Sequence, residues 1–507
     1  MNWLSLNVLV FSPLIMTLIL LTPMFSGHHI LIRRISKGFA SLHFVYTLLF
    51  LVFFNNDLTL NYETSLKLFD FDWLNSLGIT LSMGLDGISL LFVILSSFII
   101  LIATIASKGI IKSKQSLYYA LIFIVETAIL GVFCAQDMFE FFMFWELELI
   151  PMYFLIGLWG EESTAKKSAM KFLLYTFFGS LFMLCGFLML YNFNFISTNE
   201  LTANMNLIGF NYDNVPFYLQ VFASILMLIG FAVKMPIIPL HTWLPDAHTD
   251  APAPVSIILA GLLLKMGAYG IIRFNIQILP DAFLMMVPYL VVFAFINIVF
   301  ASIVAYYQTD VKKIIAYSSI SVMGIILLGL CSLNFVGISG AIFLMIAHAV
   351  ISAGLFFIVG IIYRRTGTRE ILQLGGLAKV MPRLAGFTLV FIAASIGIPG
   401  LIVFVGEFLV FFGAFISTIW NTYLIQIISL LSITVLIFSA CYALKLLHGV
   451  FYGNLLERWK KVNDILNHEL VVLLTLSVVA VLFGIMPMTI LNMIKLNVQN
   501  ILMAFGG

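Results

Sequence analysis

Two lysines, Lys234 and Lys265, lie deep inside apolar stretches with no acidic residue close by along either stretch. Three more titratable groups share that setting: Glu146 in MFEFFMFWELELIPMYF, His348 between Ala347 and Ala349, and Glu407 in IGIPGLIVFVGEFLVFF. A charge at the centre of a bilayer costs roughly 2.5–3.5 kcal/mol even on permissive insertion scales, so it is kept with a partner and a task. The chemistry these groups offer is the uptake and release of protons. Moving or neutralising a carboxylate beside a buried amine would switch that amine between holding a proton and giving it up.

The elements that must position these groups are themselves unusual. Between Phe231 and Gly270 the two lysines bracket five prolines (Pro236, Pro239, Pro245, Pro252, Pro254) and the histidines His241 and His248. Proline removes backbone donors and frees carbonyls, which a membrane tolerates only inside protein or beside water. The stretch therefore reads as a broken, hydrated helix carrying a titratable amine. A snorkelling lysine would explain Lys234 if its helix ended there, yet Ile237, Ile238 and Leu240 continue the apolar run. Lys265 sits about ten residues from either end of its span, beyond snorkelling reach, and its plainer role is a structural pair to a neighbouring helix. Glu146 and Glu148 are two residues apart and point to nearly opposite sides of a helix, so at least one faces the protein interior. Glu140 reads as an interfacial carboxylate near a helix end. His348 and Glu126 fit either a satisfied core group or a working one, and Lys445 and His448 fit snorkelling at a helix end. Pro399 and the glycines Gly397, Gly400 and Gly406 mark a second broken helix around Glu407.

Composition places all of this in a membrane. Hydrophobic residues make up 62% and charged residues 9% of the chain, where soluble domains carry about 25% charged. The fold class is an all-α polytopic membrane protein. Runs of about 20 apolar residues are long enough to span, and they fall near 3–25, 36–54, 86–106, 117–135, 138–159, 170–193, 217–244 and 255–274, then near 283–305, 314–333, 337–362, 384–411, 421–448 and 470–494. That makes about 14 transmembrane helices. The first lacks the basic leader and small-residue site of a cleaved signal. The four cysteines are scattered without a CxxC pair, and no glycine-rich nucleotide motif occurs, so no metal, cluster, nucleotide or nucleic acid is expected.

Nineteen of the 25 lysines and arginines fall in loops after odd-numbered spans, against Lys67, Arg273 and Lys495 on the other side. The odd loops are thus expected on the cytoplasmic side, or the matrix or stroma of an organelle, with both termini opposite. Residues 55–85, acidic and aromatic, form an external segment able to pack as a short strand or helix, and 194–216 forms an external loop. Spans 7 and 12 are both interrupted, both carry an ion, and stand five helices apart. Paired interrupted helices point to two inverted five-helix repeats, spans 4–8 and 9–13. The expected organisation is 1–116 (helices 1–3), 117–274 and 275–450 (the two repeats), and 451–507 (helix 14).

FWELELIPMYFLIGLWG, KMPIIPLHTWLPDAH, APVSIILAGLLLKMGAYG, DVKKIIAYSSIS and GEF resemble the antiporter-like membrane subunits of proton-pumping NADH:quinone oxidoreductase, respiratory complex I. The resemblance covers most of the chain, roughly residues 80–450. The glutamate on the broken twelfth span, where other branches carry lysine, is similar to the M-type branch (the mitochondrial subunit 4 type). The resemblance implies proton translocation coupled to quinone reduction in other subunits, with no redox centre in this chain. NADH, FMN, iron–sulfur clusters and quinone would belong to the whole complex. Residue by residue, Glu146 in FWE matches the carboxylate that pairs with and tunes the broken-helix lysine, Lys234 in VKMP. Lys265 in LLLKMG matches the connecting lysine, His348 in MIAHA a histidine of the central axis, and Glu407 in GEF the terminal proton-releasing carboxylate. Two positions depart from the pattern. Val322 in YSSISVMG replaces a relay histidine, so water or Ser318, Ser319 and Ser321 would bridge there. Leu401, Ile402 and Val403 stand where small hydroxyl residues are usual. The implied partners are neighbouring L- and N-type chains, lipid and protons, in a bacterial plasma membrane or a mitochondrial inner or thylakoid membrane. The alternatives are the D-type subunit of the photosynthetic ferredoxin:plastoquinone complex, a cation/proton antiporter subunit, and a purely structural spacer.

Overall fold

Lipid offers no partner to a bare backbone N–H or C=O, so apolar runs of this length close their hydrogen bonds within helices. A computed structural model describes residues 5–23, 27–57, 66–160, 163–210, 215–418 and 422–505. Among these, twelve helices are long and apolar enough to cross a membrane. The first span is the shorter helix α1, Leu6–Leu20, and the twelfth is a pair of half-helices, Pro382–Ser395 and Ile402–Phe415. The expected fourteen spans are thereby all accounted for.

In chain order the helices are α1, α2 (His29–Asp57), α3 (Gly87–Ala106), α4 (Gln115–Cys134), α5 (Met138–Trp159), α6 (Ala165–Thr198) and α7 (Phe217–Lys234). After them come α8 (Trp243–Asp250), α9 (Ala253–Ile276), α10 (Pro280–Tyr307), α11 (Val311–Cys331), α12 (Phe335–Thr366) and the half-helices α13 and α14. The chain ends with α15 (Tyr423–Phe451), α16 (Asn467–Ile485) and α17 (Met488–Met503). The last helix was not expected. Met486 and Pro487 break the run after Ile485, and α17 buries Ile490, Ile494, Val498 and Ile501 while Met488, Leu496 and Met503 stay exposed.

Caps set the helix starts. Asp86 and Ser89 form a reciprocal capping box on α3, and the Asp137, Asp310 and Asn334 side chains accept backbone N–H groups at the starts of α5, α11 and α12. The external segment before α3 folds as an antiparallel hairpin, β1 (Leu66–Leu74) and β2 (Ile79–Leu85), with Leu66 opposite Leu85. Asp57 aside, its stretch 58–65 lies outside the described residues, as does 211–214 of the other external loop, which otherwise holds a short helix, Met205–Phe210. Glu140 is not an interfacial carboxylate but a fully buried one. It accepts the Ser82 N–H at 3.1 Å while Asp137 accepts that of Thr80 at 3.2 Å, and together they fasten the hairpin to α5.

Two helices lie at the centre. In both α9 and α12 the most apolar eighteen-residue window is entirely buried, whereas in α2 only 28% of that window is. A polar group within either window therefore faces protein rather than lipid. α7 and α14 flank this centre, α7 against α9 and α14 against α12.

Candidate functional site

Lys234 is the last residue of α7, where Pro236 and Pro239 end the helix. Its side chain is 1% exposed, its amine lies 4.9 Å from the centre of the Trp145 ring, and it pairs with the Glu148 carboxylate. The break is stitched from outside. Asn297 on α10 accepts the Ile238 N–H at 2.7 Å and donates to the Pro236 carbonyl at 3.2 Å. Trp243, opening α8, donates to the Val233 carbonyl at 2.9 Å. These two contacts satisfy backbone groups that the prolines release.

The carboxylate in contact with Lys234 is Glu148, not Glu146 as expected. Glu146 is half-buried, beside Ser180 on α6, and acts on the lysine only through its charge. The reason is the helical stripe. Phe141, Trp145, Glu148, Met152 and Leu155 are spaced by three or four and all buried, which puts residue 148 on the inner face and turns 146 about 140° from the centre of that stripe. The chain also turns at Glu148 ahead of Pro151, which supplies no N–H to the preceding turn. Extending the apolar stripe through residue 148 would have found this carboxylate from sequence.

Lys265 lies wholly inside α9 between two π-helical turns, Leu259–Leu263 and Ile271–Ile276. The wide turn frees the Ala260 carbonyl, to which the amine donates at 2.5 Å, and the amine also meets His348 Nδ1 on α12 at 2.7 Å. His248 on α8 is within electrostatic reach of both and is fully buried. Its ring stacks on Phe356 at 4.5 Å, and neither ring nitrogen has a hydrogen-bond partner among the described residues.

Towards the basic face α8 opens on a cavity of about 940 Å³, bordered by Thr164, Lys171, Asp246, Asp250, Asp310 and Arg369. Lys171 pairs with Asp246 at 2.7 Å, and Arg369 pairs with Asp310 at 3.2 Å. Asp250 is held by hydroxyls, Thr164 at 2.9 Å and Ser168 at 2.5 Å. Lys312 donates to the Ala251 carbonyl at 2.5 Å, at the end of α8. The cavity thus reaches α8, whose Trp243 bonds the turn that carries Lys234 and whose His248 lies within electrostatic reach of Lys265.

Glu407 is buried on α14 at the second break, where Gly397 (φ 81°) and Gly400 (φ 91°) adopt left-handed backbone. A side chain at Gly397 would collide with the Glu407 carboxylate. Between His348 and α14 lies a cavity of about 20 Å³ bordered by Ser318, Ser319, Val322, Ser395, Val403 and Tyr442. A single water needs about 10–15 Å³ of such space, so one fits. Ser321 is not on this path. It bonds to Ser302 at 2.8 Å on the α10 side. Tyr442, unforeseen from sequence, faces both Ser318 and Glu407. Off the line, His43 on α2 meets Glu126 at 2.9 Å and the Leu9 carbonyl at 2.9 Å, which gives Glu126 a partner within the N-terminal helices. Lys445 donates to the Tyr306 and Gln308 carbonyls at 2.6 and 2.9 Å, capping α10.

Residues 135–435 match the family model described as NADH:quinone oxidoreductase/Mrp antiporter, TM. NADH-quinone oxidoreductase subunit M of Rickettsia prowazekii is 37% identical over 98% of this chain and 99% of its own length. NAD(P)H-quinone oxidoreductase chain 4 1 of Picosynechococcus is 41% identical over 76% of this chain and 70% of its own length. Among solved structures, a chain of respiratory complex I from Thermus thermophilus with bound NADH has a TM-score of 0.83 at 26% identity, covering 98% of this chain and all of its own. A chain of the Mrp complex from Dietzia shares the fold, with a TM-score of 0.85 at 20% identity over 99% of this chain and 98% of its own. The chain belongs to the NADH:quinone oxidoreductase/Mrp antiporter transmembrane family, as an antiporter-like membrane subunit of the subunit M type in NADH-quinone oxidoreductase.

Proposed function

We propose that this chain translocates protons along a buried line from Lys234, with Glu148 and Glu146, through His248, Lys265 and His348 to Glu407. Uptake is from the basic face by way of the cavity at α8, and release is at the second break, on the opposite side. The observation that carries the reading is the Lys265–His348 contact at 2.7 Å between two helices sealed from lipid. An opposite charge at about 4 Å contributes about 4 kcal/mol at an effective dielectric near 20, roughly three powers of ten in proton affinity. Displacing Glu148 from Lys234 is therefore enough to turn a held proton into a released one. Quinone reduction in other subunits drives that displacement.

The basic loops face the cytoplasm and both termini the outside of a bacterial plasma membrane, with L- and N-type chains as neighbours in the arm. The helices are organised as two inverted repeats, α4–α9 and α10–α15, each with one broken member. The experiment is Lys234→Ala in the complex reconstituted into liposomes. Assembled complex should reduce quinone slowly and acidify the lumen at a rate reduced at least about tenfold. Normal pumping with normal assembly would overturn the reading.

A further inference from the structure

Lys265 has a shorter way to the opposite face than the line to Glu407. On α9 it is followed at intervals of four by Tyr269 and Arg273, which place one stripe of side chains between the amine and that face. Eight residues of helix rise only about 12 Å. At the far end Arg273 lines a cavity of about 230 Å³ whose rim includes the side chains of Gln136, Asn206, Gln277 and Asn500. Asn206 and Gln277 are exposed, so water reaches Arg273 from outside. A pump that loads a proton on Lys265 must not let it escape, or return, along this path.

We propose that Tyr269, the Phe92–Phe133 pair and the Arg273–Asp86 ion pair form a proton seal that closes this direct route. The inference rests on the proton-pumping reading given above. The inner layer is aromatic and dry. Phe92, Phe133 and Tyr269 are 0–2% exposed, with ring centres 5.1, 5.0 and 5.8 Å apart. The Tyr269 hydroxyl donates to the Phe133 carbonyl at 3.1 Å, which commits its proton to a backbone acceptor rather than to a chain of water. The outer layer is a fixed cation. Arg273 bonds Asp86 at 2.6 Å and Gln277 at 3.1 Å, and its guanidinium lies 4.9 Å from the centre of the Tyr269 ring. Arg273 borders the open cavity and Asp86 is not among the residues lining it, so an incoming hydronium meets the positive end first. An arginine does not deprotonate and repels protons in a narrow pore.

The test measures leak at rest, which pumping mutants do not report. Liposomes carrying the intact complex receive an imposed pH gradient without NADH, and its collapse is followed with a pH-sensitive dye. Two variants are made: Tyr269→Ala, and the double Asp86→Asn with Arg273→Gln, which removes the fixed charge yet keeps a cap on α3. Both should collapse the gradient several-fold faster than the parent while NADH oxidation continues uncoupled. Tyr269→Phe, which keeps the ring, should stay as tight as the parent and pump normally. Parent-like tightness in both opened variants overturns the seal. So does loss of pumping without leak in Tyr269→Phe, which would make the tyrosine a carrier. Failure of the pumping reading itself shows separately, as normal pumping by Lys234→Ala.

Discussion

The Lys265 amine lies 2.7 Å from His348 Nδ1 and donates to the Ala260 carbonyl across 2.5 Å. When the lysine carries its proton it has no acceptor, so the facing imidazole nitrogen accepts and the ring proton is then on Nε2. His348 also borders the one-water cavity below α14. The histidine thus takes a proton on one edge and offers another from its opposite edge, which gives the line through α9 and α12 a direction.

Lys265→Met keeps the length of the side chain and removes the amine. Pumping should fall at least about tenfold, as expected for loss of a proton-transfer group, with the complex still assembled. His348→Ala should give a similar loss, and the double variant should be no worse than either alone. The measurement is lumen acidification per quinone reduced, and additive losses would place the two residues on separate routes.

Glu148 and Glu146 should separate in a double-mutant cycle with Lys234. Breaking a buried ion pair by removing one partner costs about 3–5 kcal/mol, so Glu148→Gln should lower the thermal stability of the complex measurably. Lys234→Met should restore part of that loss. The coupling between 146 and 234 should be smaller, because Glu146 is half-buried and does not touch the amine. Equal couplings would contradict the geometry.

Val322 controls the volume of the gap between His348 and α14. Val322→Phe should fill the space that fits one water and slow pumping while leaving the Lys265–His348 contact intact. Overpacking of this kind costs about 1–3 kcal/mol, within reach of an assembled complex. Val322→Ser, smaller and polar, should pump at least as well as the parent. Proton flux with the two variants, compared at equal assembly, decides it.

Glu469 offers a control outside the line. It accepts from Arg365 at 2.6 Å, Arg364 at 2.8 Å and the Leu466 N–H at 2.7 Å, tying α12 to the start of α16. Glu469→Gln should lower the unfolding temperature of the solubilised complex yet leave protons pumped per quinone unchanged.

The broad architecture was legible because lipid leaves the chain few options. Long apolar runs, basic-loop asymmetry and two interrupted spans led to fourteen crossings with breaks after Lys234 and before Glu407. What escaped depends on rotation about a helix axis or on contacts between distant helices. Glu146 and Glu148 differ by about 100° per residue step, and only the buried stripe through Trp145 and Met152 tells which faces Lys234. Ser321 shares a helix with Ser318 yet turns to Ser302, and Tyr442 reaches the line from a helix some 120 residues away in the chain. The π-helical turns flanking Lys265 have no marker in LAGLLLKMGAYGIIRFNI that distinguishes them from ordinary helix. Pro487, by contrast, marks a stop in the sequence that the expected span, near 470–494, ran past, and the helix beyond it went unnoticed because its apolar face is narrow.

The interrupted twelfth crossing has a consequence for how the protein is made. Each of its halves has 14 residues, a rise of about 21 Å against a hydrocarbon core near 30 Å. Neither piece qualifies for the membrane alone, and one brings a glutamate with it. During biogenesis this segment must wait at the translocon until α12 and α15 can receive it. Misassembly of the chain should therefore begin there, with an unfinished crossing exposed to quality-control proteases.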